Sequence, residues 1–209
     1  APGSAPGILL FHGNGEIASD YDDLGPVYAK MGVQFIVAEY RGYGRSQGNP
    51  SVSTMMTDCH RIFDAVTEWR GARGHTGPLV VMGRSLGSAS ALELASTRAS
   101  DVAGLVIESG FAHAGPLLTL LGVRTDAGAF PETGTFDQLA KIGAFGGPTL
   151  VIHAQFDHII PFSDGKALCE AAADPEKRLV TIPGANHNDI FFRGMETYLD
   201  AVAWLVARC

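Results

Sequence analysis

The stretch Leu79-Val80-Val81-Met82-Gly83-Arg84-Ser85-Leu86-Gly87-Ser88-Ala89-Ser90-Ala91-Leu92-Glu93-Leu94 decides the fold. An apolar run enters Gly-x-Ser-x-Gly and a helix-like segment leaves it, which reads as strand, sharp turn and helix with Ser85 at the apex. A serine presented this way sits in a strained backbone conformation that lifts its hydroxyl above the sheet edge, while Gly83 and Gly87 let the flanking chain pass close by. Strain of this kind costs about 1–3 kcal/mol and persists only where the surrounding fold enforces it, which favours a functional serine over a structural turn residue.

Gly44-Arg45-Ser46-Gln47-Gly48 spells the same pattern, so context must separate the two. Arg41-Gly42-Tyr43-Gly44 precedes Ser46 and Gln47-Gly48-Asn49-Pro50 follows it, all loop signals with no helix opening directly. Ser46 reads as a loop serine and Ser85 as the nucleophile.

Upstream of the Ser85 strand, Ile8 to Phe11 is a short apolar run that stops at His12-Gly13-Asn14-Gly15-Glu16, a turn of the kind that follows a buried parallel strand. Asp20, Asp22 and Asp23 suit a helix N-terminus, Pro26 its first turn and Gly32 its end. Gln34 to Tyr40 reads as the next strand. Val52, Met55, Met56, Cys59, Ile62, Phe63, Val66 and Trp69 recur at helical spacing, a stripe whose ordinary reading is core. Downstream, Val102 to Glu108, Pro148 to Ala154 and Arg178 to Ile182 read as strands, with helices at about 163–173 and 193–207. In the final helix Met195, Leu199, Val202 and Val206 mark the expected buried face.

Alternating strands and helices joined by short turns imply a doubly wound, mostly parallel α/β sheet with helices on both faces and right-handed crossovers. Ligands in that architecture bind beyond the strand C-terminal ends, where His12, Ser85, Asp157 and His187 are all expected to gather. Residues 111–146 are long for a connection; they read either as a small lid or as a crossover helix within a single domain spanning residues 1–209.

Composition bounds the rest. A chain of 209 residues with 46% hydrophobic content can bury a substantial core. A net charge of −7 without a basic cluster argues against a nucleic-acid partner. Cys59, Cys169 and Cys209 are odd in number and widely spaced, which suggests neither a disulfide framework nor a thiolate zinc site and makes the reduced cytoplasm the expected compartment. No apolar run reaches membrane-spanning length, and Ala1 to Gly7 reads as a flexible leader rather than a signal peptide.

A serine hydroxyl needs a base within reach, and the base needs an orienting acid. His187, in Gly184-Ala185-Asn186-His187-Asn188, follows the last strand and is the best-placed histidine; His60, His75 and His113 read as surface or core residues. Asp157 lies one short loop past the preceding strand, giving the order Ser, Asp, His. Glu108 at the end of its strand is an alternative acid. His153, Asp157 and His158 together could suggest metal ligands, but no further ligand cluster accompanies them.

Phe11-His12-Gly13-Asn14-Gly15, Tyr40-Arg41-Gly42-Tyr43-Gly44-Arg45-Ser46, Gly83-Arg84-Ser85-Leu86-Gly87, Asp157-His158-Ile159-Ile160-Pro161 and Gly184-Ala185-Asn186-His187-Asn188 span nearly the whole chain. In this order they resemble the α/β-hydrolase superfamily, specifically its small, lightly lidded serine hydrolases of the esterase and acyl-protein depalmitoylase-like branch. The resemblance implies Ser85 as nucleophile, His187 as general base and then acid, Asp157 as its orienter, and an oxyanion hole from the backbone N–H groups of Leu86 and Asn14. Gly13, Gly15, Phe111, Leu118 and Leu121 are the expected substrate contacts. No strand signal precedes Ile8, so the two usual amino-terminal strands of larger members are expected to be absent or trimmed.

The expected activity is hydrolysis of carboxylic esters or thioesters through an acyl-enzyme, on a small-molecule or acyl ester substrate, with no cofactor and no metal. Acyl transfer or peptide hydrolysis on the same triad, and a non-catalytic binding protein on a hydrolase scaffold, are the alternatives.

Overall fold

A computed structural model describes residues 2–115, 117 and 136–209. Strands β1 (Gly7–Phe11), β2 (Gln34–Ala38), β3 (Leu79–Arg84), β4 (Gly104–Glu108), β5 (Thr149–Ala154) and β6 (Arg178–Ile182) form one sheet in the order β2-β1-β3-β4-β5-β6. Every pairing is parallel. Among the described residues the helices include α1 (Leu24–Lys30), α2 (Val52–Ala72), α3 (Ser88–Thr97), α4 (Gln138–Ala144), α5 (Phe162–Ala171) and α6 (Ile190–Val206).

The two-residue period of the strands divides the core. Leu9, Phe11, Val81, Leu105, Ile107 and Val151 face one layer, packed with residues of α2, α3, α4 and α5. Ile8, Leu10, Val80, Met82, Val106, Leu150 and Ile152 face the other, packed with α1 and α6. Both faces are covered, which is why these strands read as unbroken apolar runs rather than alternating ones.

Local chemistry sets the helix boundaries. Ser51 caps α2: its hydroxyl accepts from the Thr54 N–H at 3.2 Å while its own N–H donates to Thr54 Oγ1 at 2.9 Å, an arrangement that contributes about 1 kcal/mol. The stripe on α2 is only partly core. Cys59 and Phe63 are buried, but Trp69 is 44% exposed; Val52 and Met56 pack on a smaller cluster with Leu86, Phe111 and Leu117, and Met55 touches both that cluster and the main core.

The structure corrects two other expectations. Pro2–Ser4 form a 3-10 turn rather than a flexible leader: the Gly3 carbonyl accepts from Thr76 N–H at 2.6 Å, and the Ala5 carbonyl from Arg70 at 3.3 Å. The last helix starts at Ile190 and is kinked at Gly194, so Tyr198, Val202 and Leu205 are buried while Met195 is half-exposed. In the 111–146 segment, residues 138–144 form the crossover helix α4, packed between α3 and α5. Leu118, Leu120 and Leu121 lie outside the described residues. Among the described residues no helix is long and apolar enough to cross a membrane.

Candidate active site

Ser85 leaves the C-terminal end of β3 with φ +50°, the left-handed region that a residue with a side chain rarely occupies. The turn is possible because its flanks lack side chains. A Cβ on Gly83 would lie 2.5 Å from the Gly87 oxygen and the Ser88 Cα, and one on Gly87 would fall onto the Phe11 carbonyl. The turn runs straight into α3, whereas Ser46 sits in a loop where its N–H donates to the Tyr43 carbonyl at 2.8 Å. The two serine motifs therefore differ in structure as their contexts predict.

His187 lies between β6 and α6, and its Nδ1 is 2.7 Å from Asp157 Oδ2. An ionised carboxylate only accepts, so Nδ1 carries the proton and Nε2 is left as the basic nitrogen. The Asp157 side chain is sealed from solvent. Burial opposes its charge, but the His187 hydrogen bond and the N–H groups of Ile160 and Ile159, at 2.8 and 3.0 Å from Oδ1, outweigh that and hold the carboxyl below its usual range. His153, fully buried beneath it, has its Nε2 3.0 Å from the Ile160 carbonyl and 3.6 Å from Asp157 Oδ2. Burial lowers the His153 pKa, so the neutral ring donates to Ile160 and pins the loop that presents Asp157. His158 is exposed, so the histidines flanking Asp157 stand in different environments.

Arg84, the first of the motif's two variable residues, is buried at the centre of a polar network. Its Nε donates to Glu16 Oε1 at 2.7 Å, Nη1 to Glu108 Oε1 at 2.8 Å and Nη2 to the His187 carbonyl at 3.1 Å. Burial disfavours the guanidinium charge, but Glu108 and Glu16 more than offset it and raise the pKa. Glu108 also accepts from Tyr198 at 2.6 Å, so the alternative acid is committed to Arg84 and Tyr198 while Asp157 is the carboxylate on His187. Glu16 Oε2 accepts from Tyr21 and from the Gly13 N–H, each at 2.6 Å.

That last bond occupies the Gly13 N–H, the neighbour of the Asn14 N–H expected from the sequence as an oxyanion donor. The Asn14 side chain is itself held, its Oδ1 accepting from Tyr43 at 2.7 Å. Beneath the turn, His12 is fully buried, with Nε2 3.1 Å from Glu39 Oε1, and its carbonyl accepts from Tyr40.

Of the expected substrate contacts, Gly13 is buried and Gly15 exposed at this turn. Phe111 is 1% exposed and packs edge-on against Phe136, 5.8 Å between ring centroids. Leu118 and Leu121 fall outside the described residues. A cleft of about 260 Å³ opens beside Leu86, lined by Asn14, Tyr40, Tyr43, Val52 and Met55, with Arg41 and Asp58 paired in its wall at 2.8 Å.

Sequence reasoning missed the roles of Arg84, Glu16, Tyr43, His153 and the cleft face of α2. The available signal for the first two was a charged residue ending an apolar strand, with an acid in the facing glycine-rich turn; buried charges need partners of opposite sign.

The family model described as serine aminopeptidase, S33, matches residues 5–124. The uncharacterized protein Rv2307c of Mycobacterium tuberculosis is 32% identical over 209 residues, covering 96% of this chain and 69% of that protein. Alpha/beta hydrolase domain-containing protein 17B of Xenopus laevis is 32% identical over 216 residues, covering 98% of this chain and 68% of its own length. Among solved structures, the monoacylglycerol lipase of Paleococcus ferrophilus superposes with a TM-score of 0.75 at 21% identity, over 99% of this chain and 97% of that one. The parallel sheet, the strained serine turn and these likenesses agree: the chain belongs to the α/β-hydrolase superfamily, in the family that the S33 model describes.

Proposed function

We propose that this protein is a serine hydrolase that cleaves carboxylic esters or thioesters through an acyl-enzyme. The observation that carries the reading is the pairing of His187 with a sealed Asp157 at 2.7 Å, on the same sheet edge as a serine held at φ +50°. Ser85 Oγ attacks the carbonyl carbon as His187 Nε2 takes its proton. The carbonyl oxygen becomes an oxyanion that accepts from the N–H groups of Leu86 and Asn14. Such preorganised donors are worth about 100- to 1000-fold each in rate. Collapse breaks the bond to the leaving oxygen or sulfur, which takes the proton from His187. Water then repeats the cycle on the acyl-serine, releasing the acid and restoring Ser85.

The name of the family model favours peptide hydrolysis as a second reading. An aminopeptidase needs a carboxylate for the substrate's ammonium group, but Glu16, Glu39 and Asp58 already hold Arg84, His12 and Arg41 respectively. That commitment supports the ester reading.

The test is labelling with a fluorophosphonate probe, followed by a panel of p-nitrophenyl esters, thioesters and aminoacyl nitroanilides. Labelling of the wild type that is lost in Ser85→Ala, with ester turnover above nitroanilide turnover, is expected. A folded protein that does not label would instead favour a binding module on a hydrolase scaffold.

A further inference from the structure

We infer that the cleft between the loop after β2 and the first turns of α2 receives the acyl arm of the ester, and that Met55 and Val52 set the acyl length this protein accepts. The inference rests on the serine-hydrolase reading above and adds to it the side of the site on which each half of the substrate lies.

The argument starts from the tetrahedral carbon, which has four substituents to place. One is Ser85 Oγ and one is the oxyanion, directed at the N–H groups of Leu86 and Asn14. The leaving oxygen must lie by His187 Nε2, because it collects the proton that this nitrogen holds. The acyl carbon takes the remaining direction.

Sheet order turns this into a location. Ser85 leaves β3; Asp157 and His187 follow β5 and β6, on one side of it in the order β2-β1-β3-β4-β5-β6. Asn14 follows β1 and Tyr40 and Tyr43 follow β2, on the other side, where the cleft lies. With the leaving group drawn toward His187, the acyl arm points away from it, into the space lined by Tyr40, Tyr43, Val52, Met55 and Leu86.

The chemistry of the cleft suits a hydrocarbon. Its two charges are spent on each other, Arg41 Nε and Nη2 each donating to an Asp58 oxygen at 2.8 Å. Met55 offers a flexible, polarisable wall that adapts to a chain. Its volume of about 260 Å³ lies just under the roughly 300 Å³ at which pockets for drug-sized ligands begin, which suits a short to medium unbranched acyl group. The stripe that Val52 and Met55 begin is thus fully buried only in its middle, at Cys59 and Phe63.

The experiment compares kcat/KM for p-nitrophenyl acetate, butyrate, hexanoate and dodecanoate, and for a matched series of acetate esters with lengthening alcohols, in the wild type, Met55→Trp and Val52→Phe. In the wild type kcat/KM is expected to rise about tenfold per two added acyl methylenes and to level off before dodecanoate. Filling the cleft is expected to lower the hexanoate-to-acetate ratio at least about tenfold while leaving the dependence on alcohol length as it was. Two variants at different positions guard against one of them failing to fold, which circular dichroism reports. An unchanged hexanoate-to-acetate ratio in a folded variant overturns the inference. So does a ratio that falls in Phe192→Ala, on the His187 side, or a cleft effect seen on alcohol length instead. Fluorophosphonate labelling of Ser85 separates these results from failure of the serine-hydrolase reading, because a wild type that does not label sinks both.

Discussion

The Arg84 guanidinium donates to the His187 carbonyl across 3.1 Å, so the residue before the proposed nucleophile holds the loop that carries the proposed base. The same guanidinium reaches Glu16 in the first glycine-rich turn. One buried cation therefore ties together the serine turn, the histidine loop and the turn bearing the expected oxyanion donor.

From this network, Arg84→Met is expected to lower stability by about 3–5 kcal/mol, because it leaves the buried Glu108 and the partly buried Glu16 without their counter-charge. Arg84→Lys keeps the charge but cannot reproduce the three-way fork, so it should retain more stability while lowering kcat more than it changes KM. Urea denaturation and steady-state kinetics on the two variants check this. Wild-type stability in Arg84→Met would mean that the network is not holding the site.

The two serine motifs make a direct comparison. Ser85→Ala is expected to abolish ester hydrolysis with the circular dichroism spectrum unchanged, while Ser46→Ala keeps most activity, because only Ser85 sits in the strained strand-to-helix turn. Equal loss in both folded variants would mean that the structural difference between the motifs is not a functional one.

Asp157→Asn is expected to lower kcat by about 10⁴, the loss known for the same change in an unrelated triad. The amide cannot stabilise an imidazolium, and it can favour the wrong His187 tautomer by presenting a donor to Nδ1. The measurement is single-turnover acylation, and a loss under about tenfold would show that another group orients His187.

Asp174 offers a pH test away from the site. Bidentate pairing with Arg208, at 2.8 and 3.1 Å, lowers its carboxyl to about 2, aided by the Thr149 and Glu176 N–H groups. A depressed carboxyl contributes stability that is fully present above its unfolded value and is lost as pH falls through the folded one. The wild type should therefore exceed Asp174→Asn by on the order of 1 kcal/mol at pH 7, after allowing for screening at the partly exposed Arg208, with the gap closing between about pH 4 and pH 2. Urea midpoints across that range provide the check, and a gap that widens on acidification would contradict the assignment.

Much of this was legible in the residues alone. Each strand was an apolar run ending in a turn, and Ser85, Asp157 and His187 each stood just past such a run, so their placement along one edge of the sheet followed from parallel topology. These signals work because period, turn chemistry and strain are encoded within a few neighbouring residues. What only the tertiary structure decided lies in contacts between distant segments. Arg84 is 68 residues from Glu16 and 103 from His187, and nothing local to any of them specifies the pairing. The stripe on α2 shows the same limit: its helical period marks an apolar face, but which turns meet the core and which line the cleft beside Leu86 depends on where α2 crosses the sheet edge. The kink at Gly194, where a Cβ would strike Ile182, likewise comes from how closely α6 lies on β6, a distance set by packing rather than by helix propensity.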